Sequence, residues 1–176
     1  MSESLNQNFN HLKVHTQYSI CEGAAKIDDL QEYCKSNKIK SLGISDTSNL
    51  CGALEFAEKI SKSGTQPIIG TQINFKLNDT TGLLPLFALN ETGYKNIIEL
   101  SSNSYLENDE LSDPHVNFDE LLKNSNGVSV FSGTVLGLFG KLFDKGKFTE
   151  INQIYSKIKN VFGDRFYLEI QRHNDS

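Results

Sequence analysis

Cysteine is scarce in this chain and badly placed for pairing. Cys21, Cys34 and Cys51 form no CxxC pair and are odd in number, which argues for reduced thiols in a cytoplasmic compartment. Long apolar runs are missing too. Nowhere do the roughly 18 consecutive apolar residues of a membrane span occur, and the opening MSESLNQNFNHLK lacks the basic head and apolar stretch of an export signal. Neither export nor a membrane partner is expected. Positive charge is also in deficit: 17 Lys and Arg against 22 Asp and Glu give a net charge of -5. No overall field draws nucleic acid to the surface, so any DNA contact is local or made by something else. Low-complexity linkers, charge blocks and fixed-period repeats are likewise absent.

What is present is a globular composition. Hydrophobic residues at 38%, with 11 Phe and 6 Tyr, supply the apolar area that offsets the entropy of ordering. The 176 residues suit one domain and are too few for two comfortable ones.

The hydrophobic period alternates between strand-like and helix-like. Leu12–His15 reads as a short strand and 27–34 as a helix with Ile27, Leu30 and Tyr33 or Cys34 on one face. Lys40–Asp46 reads as a buried strand, Ala53–Ile60 as a helix with Leu54, Ala57 and Ile60 inward, and Pro67–Phe75 as another strand. Polar Asn78–Gly82 suggests a hairpin turn before a strand over Leu83–Leu89. Thr92–Leu106 is a helix on a face of Tyr94, Ile97, Ile98 and Leu100 or Ser101, and Ser112–Asn117 a loop. Phe118–Lys123 is a short helix capped by Asn117, Val128–Phe131 a strand, Leu136–Phe143 and Phe148–Phe162 helices, and Phe166–Ile170 a strand. This alternation predicts an α/β fold with a mainly parallel sheet, open or barrel-like, of about five β/α units. The chain stops just after a strand, which reads as an interrupted array rather than a finished one.

In such folds ligands gather at the C-terminal ends of strands, which singles out His15, Asp46, Gln72 and His173, with Thr134 after a later strand. A histidine, an acid and a distant histidine could hold zinc or manganese, although an isolated histidine at a strand end is more often a hydrogen-bonded structural residue. Gly133, Gly137 and Gly140 lack the spacing of a phosphate loop and fit close helix packing better. No G-x-S-x-G elbow or HExxH pair occurs, and His115 is expected to face solvent.

Several blocks then agree, in order, with one family. His11-Leu-Lys-Val-His-Thr-Gln-Tyr-Ser19, Glu22-Gly-Ala-Ala-Lys26, Ser45-Asp-Thr-Ser-Asn-Leu-Cys-Gly-Ala-Leu-Glu-Phe56, Pro67-Ile-Ile-Gly-Thr-Gln72, Ala88-Leu-Asn-Glu-Thr-Gly-Tyr-Lys-Asn96 and Phe166-Tyr-Leu-Glu-Ile-Gln-Arg-His173 resemble the start of bacterial DNA polymerase III alpha subunits, the family C replicative polymerases. That resemblance implies an N-terminal PHP (polymerase and histidinol phosphatase) domain, a distorted (β/α) barrel of seven strands. Here it would be incomplete: 1–176 as a single truncated PHP domain, with palm, fingers and later domains lying beyond it. Members that keep the metal site carry His-x-His-Thr, Asp-His and Gly-x-Glu motifs. By resemblance His15, Asp46 and His173 are the retained ligand positions. Lys13, Thr47 and Gln72 stand at degenerate ones, and Leu83 aligns with a further family histidine.

An ammonium adds repulsion to the lost bond, Thr47 removes an imidazole, and Gln72 exchanges an anionic oxygen for a neutral one. The expectation is therefore a vestigial site with no catalytic residue and no cofactor in this segment. Residual zinc or manganese is a possibility at the retained positions, and magnesium belongs to the absent polymerase domain. The implied role is a scaffold that docks the proofreading exonuclease, the epsilon subunit, and the remaining polymerase domains, meeting DNA only through the full-length chain. The alternatives are a stand-alone metal-dependent phosphoesterase of the same superfamily and a small binding module that holds a replication factor.

Overall fold

The computed structural model describes residues 9–108 and 112–171. They form two compact units that divide between Thr71 and Gln72.

In the first unit, α1 (Ile27–Asn37) opens with Asp28 and Asp29, closes with Lys35 in its last turn, and stops where Lys38 turns left-handed (φ 52°) and returns its N–H to the Cys34 carbonyl. β1 (Ser41–Thr47) is buried along nearly its whole length. α2 (Ala53–Lys62) follows, and then the first half of β2 (Gln66–Leu77). Ile27, Cys34, Leu42, Ile44, Phe56 and Ile60 make one core cluster. α2 is rotated from its expected face: Leu54 is 72% exposed, while Ala53, Phe56 and Ile60 are buried. The larger apolar area of Phe56 sets the stripe. Leu12–His15 lies along β1 as expected but makes only a single parallel bridge, Val14 to Ile44. Gly43 permits that approach, since a Cβ there would stand 2.7 Å from the Leu12 carbonyl oxygen.

In the second unit, β2 turns through Asn78, whose φ is 53°, and Asp79 into β3 (Thr80–Ala88), the expected hairpin. α3 (Glu91–Leu106), β4 (Val116–Asn117), α4 (Phe118–Lys123), β5 (Val128–Phe131), α5 (Leu138–Asp144), α6 (Phe148–Phe162), a 3-10 turn (Gly163–Arg165) and β6 (Phe166–Tyr167) complete it. α6 has the bounds its period predicts, with Ile154, Ile158 and Phe162 as the buried stripe. β4, expected as loop, pairs parallel with β2 through Phe75 and Val116. β6 is shorter than expected. It pairs parallel with β5 over two residues, and Leu168 and Ile170 beyond it are exposed.

The α/β class holds, and among the described residues the strands hydrogen-bond in the order β1-β2-β3-β5-β6 with β4 on β2. The expected mainly parallel sheet is instead mixed. A two-residue turn reverses β3 against β2, and β3 is also antiparallel to β5, with Leu86 opposite Val130 and Ala88 opposite Val128.

Two local details differ in kind. Asn117 occupies the N-cap position of α4, but its side chain makes no cap bond. Asn90 does cap α3, its Oδ1 accepting from Gly93 N at 2.9 Å. There the helix start touches the turn before β5 so closely that a Cβ on Gly93 would lie 1.8 Å from the Gly127 carbonyl oxygen. Gly137 and Gly140 serve close packing as expected: Gly137 bridges Leu83, and a Cβ on Gly140 would lie 2.2 Å from the Val135 carbonyl oxygen.

Candidate functional site

Asp46 sits near the end of β1, is 1% exposed, and is surrounded by hydroxyl donors. The segment after Val14 leaves β1 in a tight turn, with Ser19 N donating to the Thr16 carbonyl at 2.9 Å. This turn aims Thr16 and Ser19 at the carboxylate. Asp46 Oδ1 accepts from Thr16 N and from Ser19 Oγ, both at 2.6 Å, and Oδ2 accepts from Thr16 Oγ1 at 2.7 Å. The Asp46 backbone carbonyl accepts from Thr71 Oγ1 at 2.7 Å.

His15 and Thr47 join this cluster through Ser19. Ser19 Oγ lies 3.4 Å from His15 Nδ1, and Thr47 N donates to it at 3.1 Å. Thr47 Oγ1 donates to Glu22 Oε2 at 2.5 Å, and that oxygen is 3.9 Å from His15 Nδ1. Of the residues singled out in the sequence, His15, Asp46 and Thr47 are therefore brought together. Lys13 lies two positions before His15 and is half-buried. Gln72 is buried within β2 in the second unit. His173 lies outside the described residues. Thr134 belongs to the segment before α5 and is also in the second unit. His115 is half-buried, its Nδ1 2.8 Å from the Asp113 carbonyl. Sequence reasoning missed Thr16, Ser19 and Glu22, for which the only signal was their place in the run after His15.

Beside the cluster a charged chain ties the same turn to the helices. Tyr18 OH donates to Glu55 Oε2 at 2.8 Å, and Lys59 Nζ donates to Glu55 Oε1 at 2.8 Å and also bonds Asp28. The bond to Glu55 holds the Tyr18 phenol above its ordinary range. Lys59, with help from Tyr18, holds the Glu55 carboxyl below its own. Asp28 and then Glu55 hold Lys59 in its charged form. Asn49 adds a further tie, donating to the Tyr18 and Thr47 carbonyls at 3.0 Å. Among the described residues, no three His, Cys, Asp or Glu side chains converge on a point that could hold a metal ion. No helix among them is long and apolar enough to cross a membrane.

The PHP domain family profile matches residues 11–173. The chain is 38% identical to the DNA polymerase III subunit alpha of Caulobacter vibrioides (strain NA1000 / CB15N), covering 98% of this chain and 16% of that protein. It is 37% identical to the same subunit of Borreliella burgdorferi, over 97% of this chain and 16% of the relative. For Rickettsia felis the identity is 35%, over 94% and 14%. The chain thus spans about a sixth of these relatives' length. Among solved structures, a putative metal-dependent phosphoesterase from Bifidobacterium adolescentis is similar at a TM-score of 0.43 and 15% identity, over 95% of this chain and 59% of that one. With a profile match running through nearly all of its described residues, the chain belongs to the PHP domain family.

Proposed function

We propose that this chain is the N-terminal PHP segment of a bacterial DNA polymerase III alpha subunit, and that it acts as a non-catalytic scaffold docking the proofreading exonuclease. Both units belong to one PHP domain in this reading, since the family match runs across them. DNA synthesis, and the magnesium ions of its two-metal chemistry, belong to the remainder of the polymerase, as does contact with DNA. The cytoplasm is its compartment, in keeping with the unpaired thiols of Cys21, Cys34 and Cys51.

The observation that carries the scaffold reading is the state of Asp46. A carboxylate offers about four lone-pair positions, and here three donors of the protein itself already use its two oxygens. A divalent cluster needs several deprotonated ligands with free lone pairs. The donor set does not fit one: Asp46 is engaged, Lys13 brings a cation, and Thr47 is turned to Glu22.

Elemental analysis of the purified chain with a phosphomonoesterase assay tests the metal half. The expected result is far less than one equivalent of zinc or manganese and no hydrolysis. Stoichiometric metal, with hydrolysis abolished by His15→Ala, would replace the scaffold by the phosphoesterase. A pull-down with the proofreading exonuclease tests the docking half: retention is expected of the chain extended through the rest of the PHP barrel, and absence of retention by that longer chain would overturn it.

A further inference from the structure

We infer, on the docking reading above, that the apolar slot between α5 and the stretch following β6 is where the partner protein seats, and that the partner presents to it a segment with an apolar side chain flanked by lysine or arginine. The slot holds about 340 Å³. Val135, Phe139 and Phe143 form its apolar wall, and the charged groups lining it, among the described residues, are Asp144 and Glu169. It is greasy and acidic at once.

The sequence around α5 produces the apolar part. Leu138 and Leu142 are the buried row of the helix, so Phe139 and Phe143, each one position further on, form the adjacent row beside the slot. Phe139 stacks on Phe166 of β6 with ring centroids 6.1 Å apart, and Phe143 meets Phe148 edge-on at 5.5 Å. Both rings are thus held in place before a partner arrives, which lowers the ordering cost of binding. Gly140 lets the main chain at Val135 press against the helix, while the Val135 side chain is left 73% exposed. Leu136, Phe143 and Phe148 are each more than half exposed as well. Apolar side chains exposed singly are ordinary, but a group of them with polar groups at its rim marks an interaction surface.

The charge of the slot follows from where the lysines of this segment go. Lys141 Nζ donates to the Thr81 carbonyl at 3.0 Å, Lys145 Nζ donates to Thr80 Oγ1 at 2.9 Å, and Lys147 bonds Asp79. All three are turned to the hairpin between β2 and β3. The opposite flank of α5 keeps Asp144, with Glu169 across the slot. Carboxylates at an apolar wall repel the phosphates of nucleic acid and attract the cations of a protein segment.

Biolayer interferometry with immobilised proofreading exonuclease and the chain extended through the rest of the PHP barrel tests this. Val135→Ser/Phe143→Ser is expected to weaken binding roughly tenfold or more, as loss of a central apolar anchor does. Asp144→Lys should weaken it and flatten its dependence on salt, and Ile98→Ser on α3 should leave it unchanged. All four side chains are exposed, so their replacement leaves the core packing intact. Variants in the slot that bind as the wild type does would overturn the slot and leave the docking reading standing. No binding by the wild type would overturn both. Maleimide labelling of Val135→Cys, in a Cys21→Ser/Cys51→Ser background, tests whether the same polypeptide fills the slot instead. The extended chain is expected to label freely and to be protected by the exonuclease, and protection without the exonuclease would overturn the inference.

Discussion

Replacing Asp46 by alanine separates a structural carboxylate from a ligating one. Thr16 N is a fixed backbone donor, buried and bonded at 2.6 Å, and alanine leaves it nothing to donate to. Losing one charge-assisted bond and orphaning its donor costs about 2 kcal/mol. Thr16 Oγ1 and Ser19 Oγ lose their acceptor as well, but hydroxyls rotate, so each adds only about 0.5 kcal/mol. The carboxylate's own desolvation is recovered on removal, which trims the sum. The expected loss is therefore about 2–3 kcal/mol, a large share of a typical domain stability. Asp46→Asn should be much milder. Its carbonyl oxygen can keep Thr16 N and Ser19 Oγ, while its amide faces Thr16 Oγ1, which can turn to accept, leaving a loss of about 1 kcal/mol. With a urea m-value of about 2 kcal/mol/M for a chain of this size, the midpoint should fall by about 1–1.5 M for alanine and about 0.5 M for asparagine. Equilibrium urea unfolding followed by far-UV circular dichroism measures both. An alanine variant as stable as the wild type, or an asparagine variant as damaged as alanine, would refute the hydrogen-bond account of Asp46.

Three further outcomes are expected. Gly93→Ala places a methyl carbon 1.8 Å from the Gly127 carbonyl oxygen and should cost about 3 kcal/mol, read as a thermal melt, since main chain has to move to admit it. Burial pushes the Cys34 thiol above its ordinary value of 9.0. The thiol form is the one the fold favours, so its contribution is complete below that value and is lost as pH rises through the higher folded one. Urea midpoints from pH 7 to 10 should fall more steeply for the wild type than for Cys34→Ala. The Tyr18 phenol is held up chiefly by its bond to Glu55, so in Glu55→Gln its ultraviolet ionisation should move to lower pH, and an unchanged titration would remove Glu55 as the cause.

How far the fold could be read in advance depended on how local each cause was. α6 was legible to the residue because Ile154, Ile158 and Phe162 recur every four positions and nothing competes with them. α2 was placed but misaligned, because its face is decided by what Phe56 packs against rather than by its own spacing. The hairpin at Asn78 was visible, yet the direction of β3 against β5 is a pairing across 40 to 44 positions that no local pattern encodes. The same division runs through the site. His15 and Asp46 were found because strand ends can be located, whereas Ser19 and Thr16 reach Asp46 across 27 and 30 positions. Hydroxyl residues have no period that would mark them. Asn117 and Asn90 show the limit within one residue type: both precede a helix, and only Asn90 closes the cap.

The contact between Gly93 and Gly127 constrains how this sequence can drift. Each backbone fills the space that a side chain on the other would need, and Asn90 Oδ1 stands 2.2 Å from where a Cβ on Gly127 would sit. Gly127 also holds a φ of +70°, which side chains with a Cβ avoid. Most core positions can exchange volume with a neighbour, one growing as the other shrinks. Here neither partner has anything to give up, because both are already reduced to main chain. Substitution at either position therefore has no compensating partner nearby, and the start of α3 and the turn before β5 are held to inherit their glycines together.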